Sequence, residues 1–206
     1  MSSKIIKYTE IKSALNLSLT IDKTNDKAQI FFIDTAKNDT NINLNFHICE
    51  DVQFTIYIYT LNAGFKKNIK VKISHESKSV SNTIIKALAS SNAKTQIDLV
   101  SVANKNVVNL ETNQSIDGVI FDNSAQINVT PSMLIDTNVI KASHSVNIGN
   151  VNPDQLFYLM ARGIDKVKAT MLILDGMFGG IKRDNDKKAQ DIYNNISLTL
   201  SKMVKK

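Results

Sequence analysis

A single cysteine stands among the 206 residues, at position 49. One thiol excludes an intramolecular disulfide and any four-cysteine zinc site, and it fits a reducing compartment. The segment from Met1 to Glu10 carries lysines but lacks the apolar core of a secretory signal. No run approaches the roughly 18 apolar residues of a membrane-crossing helix. A cytoplasmic protein without a membrane partner is the expectation. Proline (2) and glycine (7) are also scarce, although tight hairpins lean on both. In a strand-rich chain something else must turn the corners, and asparagine is the abundant candidate. Arginine is confined to Arg162 and Arg183, so the surplus of 25 basic over 19 acidic side chains, a net charge of +6, is almost wholly lysine. Lysine lacks the forked donors that read bases, and only 6% of residues are aromatic, too few for a base-stacking platform. A specific nucleic-acid partner is not expected. Lys66, Lys67, Lys70, Lys72 and Lys78, and a second group at Lys182, Arg183, Lys187, Lys188, Lys202, Lys205 and Lys206, read as solvated faces. What is present, 43% hydrophobic and 21% charged residues, is the composition of a soluble chain large enough to bury one core.

Residues 1–26 are ambiguous: Ile11, Leu15 and Leu19 fall four apart and suit a short helix or an edge strand. From Lys27 onward short runs alternate apolar and polar residues, as in Ile42-Asn-Leu-Asn-Phe-His-Ile48, Gln53-Phe-Thr-Ile-Tyr-Ile-Tyr59 and Asn68-Ile-Lys-Val-Lys-Ile-Ser74. Each is a strand with one buried face. The same grammar continues through Val107-Val-Asn-Leu110, Gln126-Ile-Asn-Val129, Met133-Leu-Ile135 and Asn138-Val-Ile-Lys-Ala142. Such recurrence suits a sandwich, a barrel or a stacked solenoid. Connections rich in Asn and Asp but poor in Gly favour the open corners of a solenoid over tight hairpins, and the sandwich stays open. After Gly149 the period changes to 3.6. Asn152-Pro-Asp-Gln155 is a capped helix start and Gly163 a helix end. A second helix starts at Asp165, carries Val167, Met171, Leu174 and Phe178, and ends at Gly179-Gly180. A third, from Asp186, sets Ala189, Ile192, Tyr193, Ile196, Leu200 and Met203 on one stripe. The predicted organisation is an uncertain N-terminal remnant (1–26), a β-helical body (27–150) and a helical C-terminal subdomain (151–206).

The junction between body and tail carries the most specific signal. Pro131-Ser-Met-Leu-Ile135, Ala142-Ser-His-Ser-Val-Asn-Ile-Gly149, Leu156-Phe-Tyr-Leu159 and Arg162-Gly-Ile164 follow one another at the spacing of a known signature. Together they resemble the carboxy-terminal signature of the SufB/SufD family of iron–sulfur cluster assembly proteins. That resemblance implies a right-handed parallel β-helix followed by a small α-helical subdomain. It also implies partners: a SufC-type ABC ATPase bound by the C-terminal helices, and a SufB-type subunit or a second copy paired through the β-helix. The chain departs from the pattern in three ways. Family members are usually longer, with an N-terminal helical domain for which 1–26 is at most a remnant. The family's His-Gly-Ala-Thr reads His144-Ser-Val-Asn147 here. Ala142 stands where many relatives have cysteine, and no cysteine follows Cys49, so the SufD side is the better match.

His144 is the leading functional candidate. An imidazole there can ligate iron or move a proton at a subunit interface, or simply cap the strand-to-helix junction. One imidazole cannot hold a cluster, so the chain has no intrinsic cofactor, and any transient iron–sulfur cluster would be shared with a partner. Cys49 shares a strand face with His47, two residues away. The pair can share a metal, form a nucleophile and base, or leave Cys49 as a small buried hydrophobe. His75 lacks a second ligand. Asp165, Asp175, Asp184 and Asp186 do not form the acid pair of a glycosidase, and no phosphate loop, serine elbow or His-Glu-x-x-His occurs. Leu156-Phe-Tyr-Leu159 reads as a helix face packed on the β-helix. Arg162, Met171, Leu174, Met177 and Phe178 are the candidate partner-binding residues. The expectation is a noncatalytic scaffold; the alternative is a β-helix enzyme or binding module for an anionic polymer.

Overall fold

The computed structural model describes residues 6–178, 181 and 187–204. Parts of the sequence reading, namely the Gly179-Gly180 helix end, Lys182, Arg183, Asp184, Asp186, Lys205 and Lys206, lie outside the described residues. The chain winds between two parallel sheets. One sheet takes the odd strands in order: β1 (Ile6–Ile11), β3 (Ala28–Asp34), β5 (Gln53–Ala63), β7 (Val80–Ser90), β9 (Leu110–Ile120) and β11 (Ile140–Gly149). The other takes the even ones: β2 (Leu15–Ile21), β4 (Thr40–Ile48), β6 (Lys66–His75), β8 (Lys94–Ala103) and β10 (Gln126–Ile135). Each of β1 to β9 hydrogen-bonds to the strand two further along the chain, always in parallel. The fold is the expected β-solenoid. It takes in β1 and β2, so the sheets reach back past residue 27, and of the two alternatives for this segment the edge strand is realised.

The period-2 alternation places its apolar rows inside. Ile42, Leu44, Phe46 and Ile48 stack on Ile69, Val71, Ile73 and His75, one coil on the next, and these isoleucines, valine, leucine and phenylalanine are sealed from solvent. Each such side chain contributes on the order of 2 kcal/mol through burial. Asparagines stack as well, on the outer face: Asn43 donates to Asn16 Oδ1 (2.6 Å), Asn68 to Asn41 Oδ1 (2.9 Å) and Asn113 to Asn82 Oδ1 (3.1 Å).

The corners differ from expectation. One corner is turned on successive coils by Lys27, Asp51, Lys78 and Asn109, all left-handed with φ between 56° and 59°. The amide of each donates to a carbonyl of the following coil: Gln53, Ser77, Val108 and Val139. Asparagine is therefore only one of several residues used. The inter-coil hydrogen bond stabilises a conformation that costs a side chain about 1 kcal/mol. A second correction concerns Lys67, expected on a solvated face with its lysine neighbours. Its side chain is 0% exposed and paired with Asp34.

The three described helices are α1 (Pro153–Ala161), α2 (Lys166–Met177) and α3 (Lys187–Val204). The outer face of the odd-strand sheet is apolar and aromatic. Tyr8, Phe31 and Tyr57 stack at successive coils, with ring centroids 4.8 and 4.4 Å apart. Helices α2 and α3 bury this face with Leu174, Phe178, Ile192, Ile196, Leu200 and Met203. The predicted stripe of α3 is the buried one; Ala189 completes it, with Tyr193 packed at its margin. Among the described residues no helix is long and apolar enough to cross a membrane.

Candidate functional site

The end of the solenoid concentrates the unusual features. Among the described residues, strand β10 pairs only with β8 and β11 only with β9, so both leave a backbone edge open on the same side of the molecule. Pro131, in β10 opposite Leu99, has no amide to donate and is tolerated on an edge strand; the runs expected at 126–129 and 133–135 join through it into one strand. In β11, Ala142, His144 and Val146 align with Thr112, Gln114 and Ile116, all three buried inside. His144 therefore sits on the inward-facing row of the last coil, but among the described residues no further coil covers it, and it is exposed. Leu134 (64% exposed), Val139 and Val146 surround this end with apolar surface.

Beneath His144 the interior changes from apolar to polar. Gln114 donates through Nε2 to Ser101 Oγ (3.0 Å) and to the Ser132 carbonyl (3.2 Å). Ser101, Thr112 and Ser81 continue the chain at 3.0 and 2.9 Å, and it ends at His75 Nε2, 2.8 Å from Ser81 Oγ. The Val102 carbonyl, 3.3 Å from His75 Nδ1, only accepts, so Nδ1 carries the proton and Nε2 accepts from Ser81. All hydroxyls then point one way, from Gln114 toward His75. Burial holds the His75 pKa down at about 4, so the ring is neutral at physiological pH. Sequence reasoning missed this seam; its signal is polar residues at inward parity, Ser81, Ser101, Thr112 and Gln114.

The helices behave partly as expected. Asn152 Oδ1 accepts from the amides of Asp154 and Gln155 (2.9 and 3.1 Å), Asp165 caps α2 through the Lys168 amide, and Gly163 ends α1 with φ +83°, where a Cβ would be strained. But α1 buries no residue and packs on α2. Phe157 is 74% exposed and Tyr158 is open to solvent, so Leu156-Phe-Tyr-Leu159 is not a face packed on the solenoid. Arg162 lies over the Tyr158 ring, 4.5 Å from its centroid. Of the candidate partner-binding residues, Leu174 and Phe178 are sealed inside the chain's own core, Phe178 against Tyr59; Met171 and Met177 are half-buried beside them. The apolar surface that α2 leaves open is Val167 and Leu172.

Cys49 stands well apart, after the end of β4. It is partly buried against the core, and its surroundings raise the thiol pKa, first by burial and then through Glu76 and Asp22. His47 Nε2 lies 2.8 Å from Glu76 Oε1, and the ligand atoms of His47, Cys49 and Glu76 all fall within 4.8 Å of one another. His144 is not part of this cluster.

Known proteins similar to the chain share one description. A family model described as "SUF system FeS cluster assembly, SufBD core domain" matches residues 28–177, well over half of the chain. The iron–sulfur cluster assembly protein SufD of Bacillus subtilis (strain 168) is 35% identical over 63 residues, which are 31% of this chain and 14% of that protein. An iron–sulfur cluster assembly SufBD family protein of Staphylococcus aureus (strain USA300) is 26% identical over 123 residues, 59% of this chain and 26% of that one. A SufBD family protein of Staphylococcus epidermidis matches to the same extent. The chain thus aligns with about a quarter or less of the length of these relatives. A parallel solenoid with a helical tail, matched by the family model from β3 to the end of α2, places the chain in the SufBD core family.

Proposed function

We propose that the chain is a noncatalytic scaffold subunit in iron–sulfur cluster assembly, pairing through the terminal coil with a second β-helix chain and docking a SufC-type ATPase through its C-terminal helices. The single observation that carries this reading is the open terminal coil, where two unpaired strand edges and exposed apolar side chains surround an accessible imidazole. Edges of this kind invite strand pairing with another chain. A partner strand laid on β11 would satisfy its backbone and cover Val146 together with His144.

The cluster in this reading is cargo. His144 supplies one imidazole toward iron, and the partner supplies the thiolates. The helical surface suits the ATPase: Phe157, Tyr158 and Met160 on α1 and Val167 and Leu172 on α2 are exposed, with Arg162 beside them. Met171 and Met177 would follow movements of α2 without making the first contact. The chain's location in the cytoplasm belongs to the same proposal.

The test is coexpression with a SufC-type ATPase and with a cysteine-bearing SufB-type chain, followed by co-purification and anaerobic cluster reconstitution. Wild type is expected to capture both partners, and His144→Ala to keep the partners while lowering cluster yield. Failure to bind either partner overturns the scaffold reading, and an unchanged yield in His144→Ala removes the imidazole from the cluster's ligands.

A further inference from the structure

We propose that His47, Cys49 and Glu76 form a binding site for a divalent metal ion of borderline softness, zinc(II) in first place, with three protein ligands and an open fourth position. The solenoid itself brings them together. Ile48 pairs with His75 across adjacent coils, and the Glu76 amide donates to the Ile48 carbonyl (2.9 Å). Glu76 is therefore the next-coil counterpart of Cys49, while His47 is on the outward face of β4 beside both. Three different donor types, an imidazole nitrogen, a sulfur and a carboxylate oxygen, converge within 4.8 Å. A tetrahedral zinc ion asks for about 3.5 Å between its sulfur and nitrogen ligands, a closure of about 1 Å within the reach of side-chain torsions.

The surroundings support a cation. The Glu50 amide donates to Glu76 Oε2 (2.9 Å), which fixes the carboxylate plane and leaves Oε1 turned toward His47. Such an outer hydrogen bond orients a ligand before the ion arrives. Asp22, in the preceding coil, adds negative charge felt at the thiol. His47 and Glu76 side chains are each 46% exposed, so an ion can enter from solvent and keep a water, or a donor from another molecule, in its fourth position. Thiolate with imidazole selects zinc, cobalt or ferrous iron over calcium and magnesium. Binding displaces the thiol proton to solvent and forms the sulfur–metal bond; no electron is transferred. This site is on the even-strand sheet and is independent of the His144 reading.

The test titrates reduced, tag-free, full-length protein with cobalt(II) alone under anaerobic conditions. The expected result is saturation at one equivalent, with sulfur-to-cobalt charge-transfer absorption and the intense visible bands of a four-coordinate ion, both erased by zinc. Cys49→Ser should lose the charge-transfer band, His47→Gln and Glu76→Gln should each weaken binding by about tenfold or more, and His144→Ala should bind as wild type. Circular dichroism checks that the variants are folded. Absence of saturable binding by wild type overturns the proposal, as does wild-type affinity in both folded glutamine variants, which would leave only a thiol that picks up cobalt.

Discussion

Asp34 and Lys67 face each other at 2.8 Å inside the solenoid, with neither side chain reaching solvent. Thr60 donates its hydroxyl to the same carboxylate oxygen (2.8 Å), the Ala36 amide takes the other (3.1 Å), and Lys67 also donates to the Leu61 carbonyl (3.0 Å). Burial lowers the Lys67 pKa while Asp34 opposes that shift. Removing one partner strands a charge, so Asp34→Asn and Lys67→Met should each cost about 3 kcal/mol or more. The double variant should recover much of that loss. Urea unfolding of the four proteins reads the coupling directly.

A second prediction concerns acid. His75 binds its proton with a pKa of about 4 when folded against 6.5 ordinarily. Depressed in the native state, it contributes stability that is complete above about pH 6.5 and lost as the pH falls toward 4. The loss should approach about 3 kcal/mol. Denaturant midpoints across this window should fall in wild type and fall less in His75→Gln. Equal slopes in the two proteins would show that other groups carry the acid sensitivity.

The two sides of α2 should separate stability from partner capture. Phe178 is fully buried against Tyr59, so Phe178→Ala is expected to destabilise the fold by about 3–5 kcal/mol. Leu172→Asp, at an exposed position, should leave the unfolding midpoint unchanged within about 0.5 kcal/mol and weaken capture of a SufC-type ATPase in a pull-down. Retained capture by Leu172→Asp together with Phe157→Asp would move docking off these helices.

At the terminal coil, Val146→Arg should block pairing. Light scattering of the chain, alone and with a SufB-type partner, should show association in wild type that the arginine variant loses. A substitution of the same kind at the opposite end, Leu17→Arg in β2, should leave association intact if pairing uses the His144 end.

The body of the fold was legible because a period of two needs only neighbouring residues: Ile42, Leu44, Phe46 and Ile48 reveal their shared face within seven positions. Even Lys67 carried a signal, since it shares parity with Ile69, Val71 and Ile73, but its acid lies on another coil, and the lysines around it suggested solvent. The site residues depend on the length of a coil. Ile21, Ile48 and His75 stack at steps of 27 residues; once that step is known, Asp22, Cys49 and Glu76 fall into line. Without it, Glu76 is one acid among many. The stripe of the last helix was legible for the same reason as the strands. On α2, Leu174 and Phe178 of the expected row are buried and Met171 half-buried, but Val167 at its start is exposed and Thr170 is buried, because the aromatic ladder of a distant sheet sets which residues α2 covers.

That ladder has a consequence for how the molecule comes apart. Stacked coils ordinarily touch only their neighbours, and their stability is close to a sum of local pieces that can fray from either end. Here α3, the last helix of the chain, contacts β1 and β5, and its cluster extends to Tyr8 in the first coil. The final segment thus clasps the opening one. Melting should be all-or-none despite the repetitive architecture, and the first coil should exchange its amide hydrogens no faster than the middle coils as long as the clasp is closed.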